Sequence, residues 1–302
     1  MTAAAPPVVT RDLAKHFGPV RAVDGIDLEL LHGEIFGFLG PNGAGKTTTI
    51  RLLLDFIRPT RGEARVLGGD PTDTAIRHRV GYLPAEFLVD PRYTGNDVFE
   101  FFGALRGGHD RAWTDQLMER FGLDPTRPMR ELSTGNRRKV GLVQAFMHRP
   151  DLLVLDEPTA GLDPLLQHEF HRLAREVTAA GATVFLSSHD LPEVEALADR
   201  VGIIRLGKLI AVATVDELRR QARQRIEIVF AAPVDPAAFR SLDGVSDVAA
   251  TDATIQLTVE GPVDPVIKAA ARHEVIRIVS READLEEVFL ELYGEGEGEV
   301  TA

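Results

Sequence analysis

The chain has 302 residues, room for about two domains, and its 44% hydrophobic and 26% charged residues are those of a globular protein, not of a disordered, collagenous or membrane-spanning one. A net charge of −12 disfavours phosphate backbones and anionic lipid, so no nucleic-acid partner is expected. Cysteine is absent, which excludes disulfides, thiolate nucleophiles and cysteine-ligated metals.

In chain order, residues 1–10 lack a basic stretch followed by an apolar core, so no secretion signal is expected. Ile26, Leu28 and Leu30 alternate with Asp27 and Glu29, the period of two of a half-buried antiparallel strand in a β-rich opening region. Residues 34–39 read as a compact apolar strand, 40–45 as a glycine-rich turn, and 46–56 as a helix that ends before Pro59. Helical spacing recurs over 94–106 and 112–121, with Val98, Phe101, Phe102 and Leu105 on one face, and predicts a helical insertion. A further helix runs from Ser133 to about Met147, and 152–155 is a continuous apolar strand of the doubly buried, parallel kind. Residues 165–180 are predicted helical, with Asp163 as N-cap and Pro164 at the first position. Residues 183–186 form the next predicted strand, and Asp190 is expected to cap a helix through Asp199. This alternation predicts a parallel α/β core to about residue 222.

Beyond it the rhythm changes to strand 225–230, helix 236–242, strands 245–249 and 254–259, helix 264–272 and strand 275–279. That order is βαββαβ, the ferredoxin-like arrangement. A helix over 285–292, opened by Asp284 and Glu287 as a capping box, and a disordered segment over 294–302 are expected after it. No apolar run approaches the ~18–20 residues that cross a bilayer, so cytoplasmic residence is expected.

Two motifs carry chemistry. Gly40-Pro41-Asn42-Gly43-Ala44-Gly45-Lys46-Thr47 fits G-x-x-x-x-G-K-[ST] between a predicted strand and a predicted helix. Glycines let successive backbone N–H groups face phosphate oxygens, Lys46 neutralises the β- and γ-phosphates, and Thr47 offers an oxygen to Mg²⁺. With Thr48, these residues form the candidate ATP-binding set, and ATP and Mg²⁺ are the expected ligands. The strand at 152–155 delivers Asp156 and Glu157 beside that loop, in the Walker B form. Asp156 is expected to hold Mg²⁺ and Glu157 to act as general base on water.

Leu132-Ser133-Thr134-Gly135-Asn136, which alone would read as a serine N-cap, lies between these motifs, with Ala160-Gly161-Leu162-Asp163 and Ser188-His189 after them. In that order, over about residues 8–220, the chain resembles an ABC transporter ATP-binding subunit. The resemblance implies a P-loop ABC ATPase core with a β-rich subdomain and a helical insertion (1–222), a small α+β accessory domain (223–293) and a tail (294–302). It implies a homodimer closed around two ATP molecules, in which Ser133 and Gly135 contact the γ-phosphate bound at Lys46 of the other copy. His189 would contact the same phosphate, and Phe17 would stack on adenine. A separate transmembrane permease subunit is implied as partner, with this chain peripheral at the inner face of the membrane.

Asn136-Arg137-Arg138-Lys139 and the run Leu285-Glu286-Glu287-Val288-Phe289-Leu290-Glu291-Leu292 resemble ATPases of drug, antibiotic or toxin exporters. The sequence departs from the family at Ala85, where a glutamine would be usual, and Glu86 is the candidate substitute at Mg²⁺, against an exposed loop carboxylate. An ABC ATPase acting on ribosomes or DNA and a low-turnover nucleotide-dependent regulatory module are the alternatives.

Overall fold

The computed structural model describes residues 5–221 and 224–281. The chain divides between Val212 and Ala213 into two compact units.

The first unit opens with β1 (Val8–Phe17) and β2 (Val20–Glu29). Then come β3 (Ile35–Leu39), α1 (Lys46–Leu53), β4 (Arg61–Val66), α2 (Thr74–His78) and β5 (Val80–Leu83). The antiparallel sheet β2-β1-β4 is the predicted β-rich region, with Ile26 and Leu28 buried as the alternation requires. Helix α1 stops at Leu53, short of the predicted Phe56, because Asp55 turns the chain at φ 56 and pairs with Arg58 at 3.0 Å and Arg77 at 2.8 Å.

Next are α3 (Gly95–Leu105), α4 (Arg111–Arg120), α5 (Thr134–Phe146), β6 (Leu152–Asp156), α6 (Pro164–Ala179) and β7 (Thr183–Ser188). The expected face of α3 is only partly right. Val98 and Phe99 are buried, whereas Phe101 and Leu105 are 52% and 58% exposed, since the helix turns Phe99 inward in their place. Asp163 caps α6 as predicted, its carboxylate accepting from the Leu166 N–H at 3.1 Å.

Helix α7 (Leu191–Leu197) ends two residues early, because Asp199 returns to the sheet and its carboxylate accepts from the Ile35 N–H at 2.8 Å. Asp190 makes no side-chain cap there, contrary to expectation. Strands β8 (Arg200–Arg205) and β9 (Lys208–Thr214), not resolved by the sequence reading, complete a six-stranded sheet ordered β5-β6-β7-β3-β8-β9. The pairs from β5 through β8 are parallel, and β3, β6 and β7 are buried along their whole length, as a sheet covered on both faces must be. Phe185 lies 6.0 Å from Phe36 and 5.3 Å from Phe38, so truncating it would cost about 3–5 kcal/mol. The register matches Leu39 with Ser188 and Asp156 with Ser187, so the chain leaves three neighbouring strands at one sheet edge. That edge is where ligands of open α/β sheets bind.

The second unit holds α8 (Val215–Gln221), β10 (Gln224–Phe230), α9 (Ala237–Arg240), β11 (Val245–Thr251), β12 (Thr254–Val259), α10 (Asp264–Ala270) and β13 (Val275–Arg281). Its sheet is antiparallel, ordered β11-β12-β10-β13, over a core of Ile226, Ile228, Phe239, Leu257 and Val266. The predicted helix over 285–292 and the tail lie outside the described residues. Among the described residues no helix is long and apolar enough to cross a membrane.

Candidate active site

The loop between β3 and α1 is shaped by glycine. Gly45 has φ 113, and a Cβ there would stand 2.4 Å from the Ala22 carbonyl oxygen, so neither the conformation nor the space admits a side chain. No side chain caps α1 and its first turn has no acidic residue, which leaves the helix start suited to an anion. Lys46 is only 6% exposed. Its Nζ donates to the Gly40 carbonyl at 2.6 Å and the Pro41 carbonyl at 3.4 Å, and lies 3.4 Å from Glu157 Oε1. Pro41, Asn42 and Gly43 are exposed, Ala44 is buried, and Thr47 and Thr48 are half-buried.

Asp156 ends β6 fully buried, with both carboxylate oxygens engaged. Thr47 Oγ1 donates to Oδ2 at 2.9 Å, and Ser187 Oγ donates to Oδ1 at 2.5 Å. A buried carboxylate beside a threonine hydroxyl is a hard oxygen pair of the kind that suits hydrated Mg²⁺. Glu157 follows at φ 52, a left-handed conformation that is unusual outside glycine. Its N–H donates to the Ser187 carbonyl at 3.0 Å, and its carboxylate spans Lys46 on one side and His189 Nδ1, at 2.8 Å, on the other. Five residues expected from sequence, Lys46, Thr47, Asp156, Glu157 and His189, therefore meet at the sheet edge.

Other predicted residues stand apart from this cluster. Ser133 Oγ accepts from the Asn136 N–H at 3.2 Å as the N-cap of α5, and a Cβ on Gly135 would lie 2.8 Å from the Gly161 carbonyl oxygen. Among the described residues no hydrogen bond joins Ser133 or Gly135 to the phosphate loop of the same chain. Phe17 is 51% exposed, with Lys15 Nζ 5.1 Å from its ring centroid. Glu86 is exposed and has no polar partner among the described residues.

Two site-supporting residues escaped the sequence reading. Glu193 is buried and accepts from Ser188 Oγ and Thr159 Oγ1, each at 2.6 Å. Burial pushes its carboxyl above the usual range, against the two hydroxyl bonds. Arg138 reaches the backbone of both Asp156 and Glu157. Its spacing of four from Leu142, on the buried stripe of α5, was the available signal. Nothing in the local sequence marks Glu193.

Comparison with known proteins gives one answer. The family model described as ABC transporter matches residues 23–160. The daunorubicin resistance ATP-binding protein DrrA3 of Streptomyces coeruleorubidus is 39% identical over 223 residues, covering 71% of each chain. The linearmycin resistance ATP-binding protein LnrL of Bacillus subtilis is 32% identical over 302 residues, 94% of this chain and 97% of its own. Among solved structures, an ATP-binding subunit of an ABC transporter superposes with a TM-score of 0.66 at 28% identity, over 71% of this chain and 92% of that one. With the phosphate loop, the Asp156-Glu157 pair and His189 gathered on such a fold, the chain belongs to the ATP-binding subunits of ABC transporters.

Proposed function

We propose that this chain is the ATP-hydrolysing subunit of an exporter that moves a drug-like or antibiotic-like molecule through a separate permease. The observation that carries the reading is the Glu157 carboxylate, which bridges Lys46 and His189 one residue after the Asp156–Thr47 pair. In this reading the glycine loop and Lys46 bind the phosphates. Thr47 and Asp156 would hold Mg²⁺, with Glu86 as a candidate further ligand, and the ion would neutralise charge on the phosphate oxygens. Glu157 takes the proton of the attacking water at its carboxylate, and His189, bonded to that carboxylate, fixes its direction. Phe17, exposed at the end of β1, would serve as the adenine shelf. Ser133 and Gly135, unattached to their own phosphate loop, would complete the site of a second copy.

The substrate class is carried over from the resistance proteins to which the chain is similar. For the permease, the support is an apolar groove of about 350 Å³ in the first unit, floored by Leu53, Tyr82, Phe87 and Phe102 and edged by Phe56 and Leu88, which are 58% and 70% exposed. The motor would run past the 212/213 division, through α8, to residue 222, and 223–293 would be an accessory domain of ferredoxin-like type, a reading supported by its β11-β12-β10-β13 strand order. Purification of the chain from native membranes tests the assignment: a co-purifying polytopic membrane protein is expected, and recovery with ribosomes alone would contradict it.

A further inference from the structure

Helix α5 carries a buried cation that none of these roles uses. Arg138 is 4% exposed, and its guanidinium donates to five main-chain carbonyls on two segments. Nη1 reaches Pro84 O at 2.6 Å and Ala85 O at 2.9 Å. Nη2 reaches Asp156 O at 2.5 Å and also Glu157 O, and Nε reaches Pro158 O at 3.2 Å. Among the described residues no carboxylate forms an ion pair with it. Burial lowers its pKa only to about 10, helped back by the fields of Asp156, Glu157 and Glu193, so the group stays charged at neutral pH.

A buried charge is an expensive way to fill space, since an apolar side chain of similar volume usually serves packing as well or better. What the guanidinium supplies, and an apolar chain cannot, is a planar fork of five donors with fixed directions. Those donors hold the carbonyl of Glu157, whose left-handed φ of 52 needs the surrounding structure to enforce it. The same fork holds Pro84 and Ala85, and Pro84, Phe87, Leu88 and Val89 line the apolar groove of the first unit.

We infer that Arg138 is a positioning residue for Glu157 and the mechanical link between the Pro84–Val89 loop and the hydrolytic carboxylate. The inference rests on Glu157 acting as the base. Whatever displaces the loop at the groove then shifts the Glu157 backbone through one rigid group. The displacement alters the rate of hydrolysis and leaves ATP affinity largely alone, because Arg138 makes no bond to the phosphate loop among the described residues.

The test combines Arg138→Met and Arg138→Lys with Glu157→Gln and reads single-turnover hydrolysis and equilibrium ATP binding. A misplacement of the base on the ångström scale predicts a loss of about 10- to 100-fold in rate for Arg138→Met. ATP affinity should stay near wild type, and Arg138→Lys, with three donors in place of five, should recover part of the rate. On the Glu157→Gln background neither change should slow hydrolysis further, because the group being positioned is already gone. The inference is overturned if Arg138→Met turns over at the wild-type rate while Glu157→Gln is inactive, if its loss multiplies in full with that of Glu157→Gln, or if ATP affinity falls with the rate. Wild-type turnover in Glu157→Gln itself would remove both the base and its positioning residue. Should neither Arg138 variant fold, hydrogen exchange in the wild-type protein decides. Binding of Mg-ATP must slow the amides of residues 85–89 together with those of Asp156 and Glu157, and unchanged exchange at 85–89 would overturn the link.

Discussion

Replacing Glu157 with glutamine keeps the shape of the side chain and removes the charge that lies 3.4 Å from Lys46 Nζ and 2.8 Å from His189 Nδ1. Two consequences follow with different signs. Water loses its proton acceptor, and general-base catalysis contributes about 10²–10⁴ in rate, or roughly 3–5 kcal/mol of barrier. Lys46, meanwhile, loses its carboxylate partner and no longer has to exchange it for phosphate, so ATP affinity is kept or tightened. Phosphate release at saturating Mg-ATP measures the first effect and equilibrium nucleotide binding the second, with thermal melting as the check that the fold is retained. The expected species is a stable ATP-bound dimer. Turnover within a factor of about two of wild type would take the general-base role away from Glu157, and a fall in affinity matching the fall in rate would make it a nucleotide-holding group instead.

If Glu86 replaces the missing glutamine side chain at residue 85, Glu86→Ala raises the Mg²⁺ concentration for half-maximal turnover and lowers the rate, and adding Ala85→Gln partly restores both; wild-type Mg²⁺ dependence would leave Glu86 a surface carboxylate. His148 is half-buried, with Nε2 against the Val80 carbonyl at 3.2 Å and no partner at Nδ1 among the described residues, and desolvation with the nearby charge of Arg106 holds its pKa down to about 4. The unfolded chain takes the proton near pH 6.5 and the folded chain only near 4, so stability present at neutral pH is lost as pH falls through that window, by up to about 3 kcal/mol. His148→Leu should therefore flatten the decline of melting temperature between pH 6.5 and 4, and an unchanged slope would refute the assignment.

The parts of the site that were legible in the sequence are those whose chemistry needs contiguous residues. A phosphate loop requires glycines at fixed offsets before a helix, and a carboxylate pair needs an apolar strand to carry it, so Lys46, Thr47, Asp156 and Glu157 announce themselves locally. The second unit was read in the right element order because each of its strands alternates or runs apolar over a few residues. Strands β8 and β9 escaped, since the charges at Arg200, Arg205 and Lys208 and the turn at Leu206-Gly207 break the region into two short runs, 201–204 and 209–213. Phe101 and Leu105 satisfied helical spacing and still face outward, because spacing defines a stripe but not which neighbouring stripe meets the core. Arg138 and Glu193 were hidden for a deeper reason. Apart from Ser188, their partners are main-chain carbonyls and a hydroxyl 18 or more residues away in sequence, and only the fold brings them together.

The proposed composite site would pair Lys46 of one copy with Ser133 of another. Proteins carrying Ser133→Arg and Lys46→Ala should each be inactive, since neither can assemble an intact site with itself. Mixed in equal amounts they form mixed dimers in half the population, each with one of two sites whole, so about a quarter of the wild-type sites return and hydrolysis with them. Continued inactivity of the mixture, with mixed dimers demonstrated by cross-linking, would contradict the head-to-tail arrangement.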